Sequence, residues 1–422
     1  MTDRLQLAEH LFRHEAGRMV SSLVRVLGLR QLALAEDAVQ DALLRALETW
    51  RFGELPRNPA AWLMRCARNR ALDLVRRQGV SARVERELLE ASEAAEAVEP
   101  ASHGDADGAP ALPDDELRLM FSCCAPELAP ASQVAVILKY LCGFSVHELA
   151  QAFLSTEAAI EKQLYRARTV LERGGSLYDV TDPEQARDRL PSVHEAVYLL
   201  FNEGFHGGHP QQAVREDLCG EAMRLGVLLS RLPATAGPET QALLALFCFH
   251  AARLGARVAD DGSLLLLAEQ DRSRWDHELV WEGFRRLDAS AEGNRLGPWH
   301  LEAAIAAQHA AAPSFEATDW ATIRRLYDLL LAARPSPVVA LNRAIAVGMA
   351  EGPAAGLRAL AEIEGRHRLE RHPFLEAAVA EFELRSGRPD RAARALQAAL
   401  RVARNPAEEA VLARKLAACA DR

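Results

Sequence analysis

The sequence has little that would span a membrane, staple a small fold or alternate like a strand. No apolar run among its 422 residues is long enough to cross a bilayer, which takes about 20 consecutive apolar residues, so no membrane partner is expected. The opening stretch MTDRLQLAEHLFRHEAGRMV has no apolar signal core and no small-residue cleavage site, and a cytoplasmic location is expected. Cysteine is sparse: seven in all, an odd number, with no C-x-x-C spacing. The adjacent Cys123 and Cys124 do not have a zinc-finger spacing, so neither a disulfide framework nor a zinc module is expected. Period-two alternation is nearly absent, which sets aside the β classes. No metal and no cofactor is expected.

What is present is helical period over almost the whole length. The expected fold class is all-α. The stretch EAAEAVEPASHGDADGAPALP, residues 93–113, is poor in large apolar groups and rich in Glu, Asp, Gly, Pro and Ala. Such a composition does not pack a core and is read as a flexible linker. Four parts follow: a helical domain over 1–80, an acidic linker over 81–113, a second helical domain over 114–174, and a long helical region over 175–422. In the last, SPVVALNRAIAVGMAEGPAAGLRALAEI (336–363) and the segments after it alternate helix, turn and helix. That rhythm resembles degenerate helix-pair repeats of the tetratricopeptide type.

The chain is acidic overall, at −9, but the charge is unevenly placed. Residues 1–80 carry 13 Arg and 9 acidic side chains. Residues 81–117 carry 2 Arg and 11 acids. Residues 118–174 are close to balanced, with 6 basic and 5 acidic groups. Partner choice follows local patches rather than the total, so the acidity does not argue against a polyanionic partner for the first 174 residues.

FSVHELAQAFLSTEAAIEKQLYRAR, residues 144–168, reads as a helix-turn-helix. Ser145 and Glu148 form an S-x-x-E capping box that starts the first helix. Ser155 or Thr156 caps the second. Ile160, Leu164, Ala167 and Leu171 then recur as one narrow buried stripe. The other face carries Ala158, Glu161, Lys162, Tyr165, Arg166 and Thr169. Early residues of such a helix reach base edges and later cations hold phosphates. A plain helical hairpin with a solvated charged face has the same pattern.

Two segments upstream add to this. LALAEDAVQDALLRALETW (32–50) is amphipathic, with Ala35, Val39, Ala42, Leu43, Ala46 and Leu47 on its dry face. Asp37, Gln40, Asp41, Leu44 and Glu48 line the other. Leu44, an apolar residue ringed by acids, is either a partner contact or a stray exposed leucine. A Gly/Pro loop at 52–59 then leads into a helix whose core stripe is Leu63, Ala67, Ala71 and Leu74. Residues 62–78 hold five Arg and one Asp, and the planar fork of Arg suits phosphate. Trp62 either stacks on an unpaired base or anchors the core.

In this order, AEDAVQDALLRALETW, NPAAWLMRCARNRALDLVRR and the helix-turn-helix ending in YRAR resemble a bacterial extracytoplasmic-function sigma factor over about residues 5–174. The resemblance implies an alternative sigma factor that binds core RNA polymerase and promoter DNA and does no covalent chemistry. It implies a polymerase-docking face at Asp37, Gln40, Asp41, Leu44 and Glu48. It places contacts to the minus-ten region at Arg57, Asn58, Trp62, Arg65, Arg68, Asn69, Arg76 and Arg77. It places reading of the minus-thirty-five element at Thr156, Ala158, Glu161, Lys162, Tyr165 and Arg166. In related sigma factors the linker enters the polymerase cleft, a role the resemblance gives to Glu93, Glu96, Glu99, Asp105 and Asp107.

Further segments, among them AVYLLFNEGF, AEQDRSRWD, GPWHLEAAIAAQHA and SPVVALNRAIAV, are similar to the subgroup with a long C-terminal tetratricopeptide-like domain. That subgroup implies a regulatory C-terminal domain and, as a further partner, a small YCII-related (DGPF-type) protein or a ligand. Ala125 stands where His would be expected after the cysteine pair, and HGGHP is not typical of the group. The C-terminal stretches also hold Asn202, Glu203, His206, His209, Asp271, Arg272, Trp275, Trp299, His300 and Trp320. Glu203, His206 and His209 do not have the spacing of a metal motif, and packing between helices is the expected role of this set. The other readings are a helix-turn-helix regulator with a sensing repeat domain, and a ligand-binding enzyme or scaffold.

Overall fold

The computed structural model describes residues 2–52, 56–78, 82–97, 115–174, 177, 183–206, 214–259, 263–292, 295–370 and 372–420. The described residues form helices joined by turns, with a single bridge between Val258 and Leu264 outside them. The chain divides into two compact units, Met1–Val197 and Tyr198–Arg422.

The first unit holds α1 (Thr2–Leu27), α2 (Leu32–Phe52), α3 (Pro59–Gln78), α4 (Ala82–Ala97), α5 (Asp115–Cys123), α6 (Pro130–Tyr140), α7 (Val146–Ala152), α8 (Glu157–Gly174) and the start of α9 (Pro183–His206). Helices α1, α2 and α3 pack on one another around Met19, Leu23, Val39, Leu63, Ala67 and Ala71. Part of the expected linker is helical instead. Ala, Glu and Leu are strong helix formers, and in α4 they outweigh the shortage of large apolar groups. Leu88 is the buried anchor of that helix, which packs on α3 and α1. Glu93 and Glu96 lie on α4, while Glu99, Asp105 and Asp107 lie outside the described residues.

The segments before and after the linker sequence pack together within this unit. Helix α1 lies against α5, and α2 lies against α8. Gly17 in α1 sits so close to the turn after α6 that an added Cβ would be 2.1 Å from the Leu141 carbonyl oxygen. Arg25 pairs with Asp115 at 3.0 Å, and Lys139 with Glu36 at 3.6 Å. Burial holds the Glu36 carboxyl above its usual range, more than Lys139 brings it down. The first half of α9 also belongs here: Arg189 donates to the Phe121 carbonyl at 2.8 Å, and the Ser192 hydroxyl to Gln133 Oε1 at 2.6 Å. The compact unit therefore runs past the expected boundary at 174.

The second unit continues with α10 (Glu216–Arg231), α11 (Pro238–Ala251), α12 (His277–Ala289), α13 (Pro298–Ala311), α14 (Trp320–Ala333), α15 (Pro337–Glu351), α16 (Pro353–Ala361), α17 (Pro373–Arg385), α18 (Pro389–Leu400) and α19 (Pro406–Ala420). Proline opens many of these helices because its fixed φ suits the first turn and its missing N–H is not needed there. Helix α11 is its centre: every residue from Ala242 to Phe249 is buried, and α10, α12 and α13 pack around it. From α13 to α19 each helix packs on the next, as stacked helix pairs do.

Two glycines set one of these crossings. A Cβ at Gly348 in α15 would lie 2.1 Å from Phe382 Cζ, and one at Gly356 in α16 would lie 2.7 Å from Gly348 Cα. Phe382 is fully buried, so its ring has nowhere to retreat. Overpacking of this kind costs about 1–3 kcal/mol. Gly348→Ala is expected to lower the thermal midpoint of the protein by several degrees; an unchanged midpoint in a calorimetric scan would show that the ring gives way freely.

Candidate nucleic-acid interface

The helix-turn-helix forms as the sequence specifies. The Ser145 hydroxyl accepts from Glu148 N at 3.1 Å, and the Glu148 carboxylate accepts from Ser145 N at 2.7 Å. Both directions of the capping box are therefore made. Thr156 Oγ1 accepts from Ala159 N at 3.3 Å, so Thr156 is the capping hydroxyl of the two considered. The turn between α7 and α8 puts Leu154 at φ 49°, a left-handed conformation that costs a non-glycine residue about 1–2 kcal/mol. His147 ties the two helices, 2.9 Å from Glu157 Oε1.

In α8, Ile160, Leu164, Ala167 and Leu171 are all buried. Thr156, Ala158, Glu161, Lys162, Tyr165 and Arg166 are all exposed, Tyr165 to 65%. Neighbouring cations differ: Arg168 is half-buried, pairs with Glu172 at 3.7 Å and lies 5.9 Å from the Tyr165 ring centre. Gln163 donates to the Ser132 hydroxyl at 3.2 Å, which fixes α8 on α6.

On α2, Asp37, Gln40 and Glu48 are exposed, and Leu44 is exposed to 59%. Asp41 differs from them. It is half-buried and its carboxylate takes a hydrogen bond from Arg70 Nε of α3. Leu47, expected on the dry face, is 37% exposed. Its neighbours α1 and α3 cover a narrower stripe than the helical period alone implies, and Leu47 falls at the edge beside Leu44.

The cations of α3 are spread around its outer faces. Arg65, Asn69, Arg76 and Arg77 are exposed on the helix, as are Arg57 and Asn58 just before it, and Arg68 is half-buried. Burial, and behind it Arg25, pulls the Arg68 guanidinium below its ordinary range. Asn58 has a structural task as well: its side-chain oxygen accepts from Ala61 N at 3.1 Å and caps the helix. Arg76 Nε lies 2.7 Å from Glu85 of α4, a surface pair of small energetic weight. Trp62 is half-buried and tilted against the buried Trp50, with ring centres 5.4 Å apart. It is a core anchor on one side and reachable on the other. Residues 53–55 of the preceding loop lie outside the described residues.

The C-terminal polar residues mostly pack. Glu203 forms a buried ion pair with Arg215, which occupies one of the three groups considered for a metal. His206 lies edge-on to Phe205, and His209 lies outside the described residues. Among the described residues no three His, Cys, Asp or Glu side chains gather as a metal site. His300 accepts from Gly297 N at 3.2 Å and lies 3.1 Å from the Ser290 carbonyl, bracing the start of α13. Trp299 packs on Tyr198 and Trp320 on His309. The cysteines are thiols, all buried except the half-buried Cys66; burial pushes Cys124 and Cys219 up to about 12. No helix among the described residues is long and apolar enough to cross a membrane.

Comparison with known proteins agrees with the geometry of the first unit. Residues 11–80 match the model of sigma-70 region 2, and residues 118–171 match that of sigma-70 region 4. Residues 189–291 match a family of unknown function, DUF6596. An uncharacterized protein of Rhizobium meliloti (strain 1021) is 40% identical over 334 residues, which is 78% of this chain and 77% of that one. No solved structure matches the chain.

Proposed function

This chain belongs to the extracytoplasmic-function type of sigma factors, with an added C-terminal helical domain, and from that membership we propose how its residues divide the work. As a sigma factor it recognises promoters and initiates transcription, with core RNA polymerase and promoter DNA as partners. Such families are non-enzymatic DNA-binding transcription factors, and in our reading this protein does no covalent chemistry and works in the cytoplasm.

The observation that carries the residue assignment is the exposed face of α8 lying over a fully buried stripe. Thr156, Ala158 and Glu161 face base edges of the minus-thirty-five element; Lys162, Tyr165 and Arg166 hold its backbone. The outer face of α2, centred on Leu44, docks on polymerase, with Asp37, Gln40 and Glu48 around it. Asp41 contributes to that face while its Arg70 contact keeps α2 aligned on α3. Arg57, Arg65, Arg68, Asn69, Arg76 and Arg77 contact the minus-ten strand, and Asn58 holds the helix that carries them. Trp62 offers its free side to an extruded base. Extrusion costs a few kcal/mol of stacking, which stacking and cationic contacts offset.

The second unit modulates activity in cis, with a small YCII-related protein or a ligand as its further partner. The test is run-off transcription with purified core polymerase and genomic promoter fragments. Full-length protein is compared with residues 1–206, an end that keeps the contacts of α9 to Phe121 and Gln133. Transcripts are expected, and the ratio between the two chains gives the sign of control. Equal output from both would remove the modulatory role; no transcript from either, despite tight duplex binding, would move the reading to an ordinary repressor or activator.

A further inference from the structure

Some enclosed arginines in the second unit have an acid to answer them. Arg215 has Glu203, and Arg404 has Glu408. Beside α11 the fold does something different. Arg253 and Arg257 follow that helix, and both lie over the ring of the buried Phe205, with Cζ 4.9 Å and 3.8 Å from its centre. Arg257 is only 8% exposed, and its Nε is buried with no hydrogen-bond partner. Among the described residues neither side chain forms an ion pair with a carboxylate; the charges acting on Arg253 are other arginines.

A third guanidinium completes the group. Arg272 donates through Nη1 to the carbonyls of His309 (2.5 Å) and Ala312 (2.9 Å), and stacks 4.6 Å over Trp275. Those contacts fix its position and leave Nη2 buried without a partner. Arg253 feels Arg272 as well as Arg257. Burial and this mutual repulsion lower Arg253 to about 9 and burial lowers Arg257 to about 10, so both still carry charge at neutral pH. Burial and the same arginines hold His250 and His309 below the imidazole range, His309 at about 4. They are neutral at pH 7 and add donors without adding repulsion.

These groups are surrounded by protein, yet Arg253, His250 and His309 are each only half-buried. Desolvated on most sides, these groups still keep part of their surface open to water. Glu316 answers part of the Arg272 charge, but no carboxylate among the described residues acts on Arg253 or Arg257, and charge held that deep without a counter-ion is costly. Stacking on aromatic rings returns part of this and supplies no negative charge. The group that would do so, and that would use the fork of each guanidinium, is an oxyanion. Groups with so little open surface can be reached by a small molecule and not by a polymer backbone.

We propose that Arg253, Arg257 and Arg272 form a binding site for a small doubly charged oxyanion, the phosphoryl group of a phosphate ester or a dicarboxylate. This site stands apart from the sigma-factor surfaces, and its test reads binding alone. Full-length protein is titrated calorimetrically with inorganic phosphate and separately with succinate, chloride holding the ionic strength constant. Saturable one-site binding of at least one is expected, and the one that binds names the ligand class. Arg253→Gln and Arg257→Gln should each weaken it about tenfold or more, the loss of one charge-assisted hydrogen bond. Arg401→Gln, at the exposed end of α18, should leave it unchanged. If Arg257→Gln does not fold, Arg253→Gln decides alone, since Arg253 is half-exposed. No saturable binding of either anion, or wild-type affinity in the foldable variants, or equal loss in Arg401→Gln, overturns the proposal.

Discussion

Leu44→Arg is expected to remove run-off transcription while shifting the thermal midpoint by no more than about 2 °C. Leu44 is 59% exposed on α2, whose buried side is Ala35, Ala38, Val39, Ala42 and Ala46. Its removal opens no cavity, and exposed substitutions usually stay within about 0.5 kcal/mol. Docking is a different matter. An apolar side chain ringed by acids, with Leu47 exposed one turn further on, is the kind of anchor whose loss costs about 2 kcal/mol or more. That is about thirtyfold in affinity or greater, and an arginine in its place adds a charge to be desolvated. Asp41 is a poorer probe because its loss also releases Arg70. Equilibrium binding of fluorescently labelled protein to core polymerase measures the effect; wild-type affinity in the variant would show that α2 does not dock through this face.

The second large effect is expected from the double substitution Lys162→Ala with Arg166→Ala. The two lie one turn apart on the exposed face of α8. Among the described residues neither forms an ion pair, whereas their neighbour Arg168 is tied to Glu172. The helix should therefore keep its packing. Each phosphate contact removed lowers the slope of log affinity against log salt by about 0.9. A fall of about two in that slope is expected for holoenzyme on promoter duplex, with weaker binding to every sequence tested. A slope equal to that of the wild type would place the phosphate contacts elsewhere. Substitution of Glu161 or Ala158, by contrast, should change which bases are preferred more than how tightly any duplex is held.

The parts of the fold that a single helix determines were readable in the sequence. The stripe from Ile160 to Leu171 and the Ser145–Glu148 box depend only on spacing along one helix, and both are present. What depends on a neighbouring helix was not readable. Leu47 is exposed because α1 and α3 cover less of α2 than its period would allow. Asp41 meets Arg70 from 29 residues away, and nothing in the spacing announces the pair. Helix α4 was hidden by its composition: its Glu and Ala are as much at home in a solvated chain as in a helix, and the buried Leu88 seats it on its neighbours. The arginines beside Phe205 left no signal at all. Arginine in a sequence is read as surface, and only their position behind α11 makes them unusual.

The close contact of Gly17 with the Leu141 carbonyl amounts to a clasp. On one side stands the helix group that includes α3, and on the other the group that includes α8. A promoter's two elements, by their names, lie about 25 base pairs apart, a distance of about 85 Å along the duplex at 3.4 Å per step. No arrangement with α1 seated on that carbonyl and α2 against α8 reaches across such a ruler. The 17 residues from 98 to 114 extend to at most about 60 Å, and the breadth of the two helix groups, with helices about 30 Å long, can supply the rest. With α3 and α8 holding the two elements as proposed, the closed unit would be a resting form. Whatever free energy holds the clasp shut would then be subtracted from promoter affinity, and a partner that favours an open form would return it.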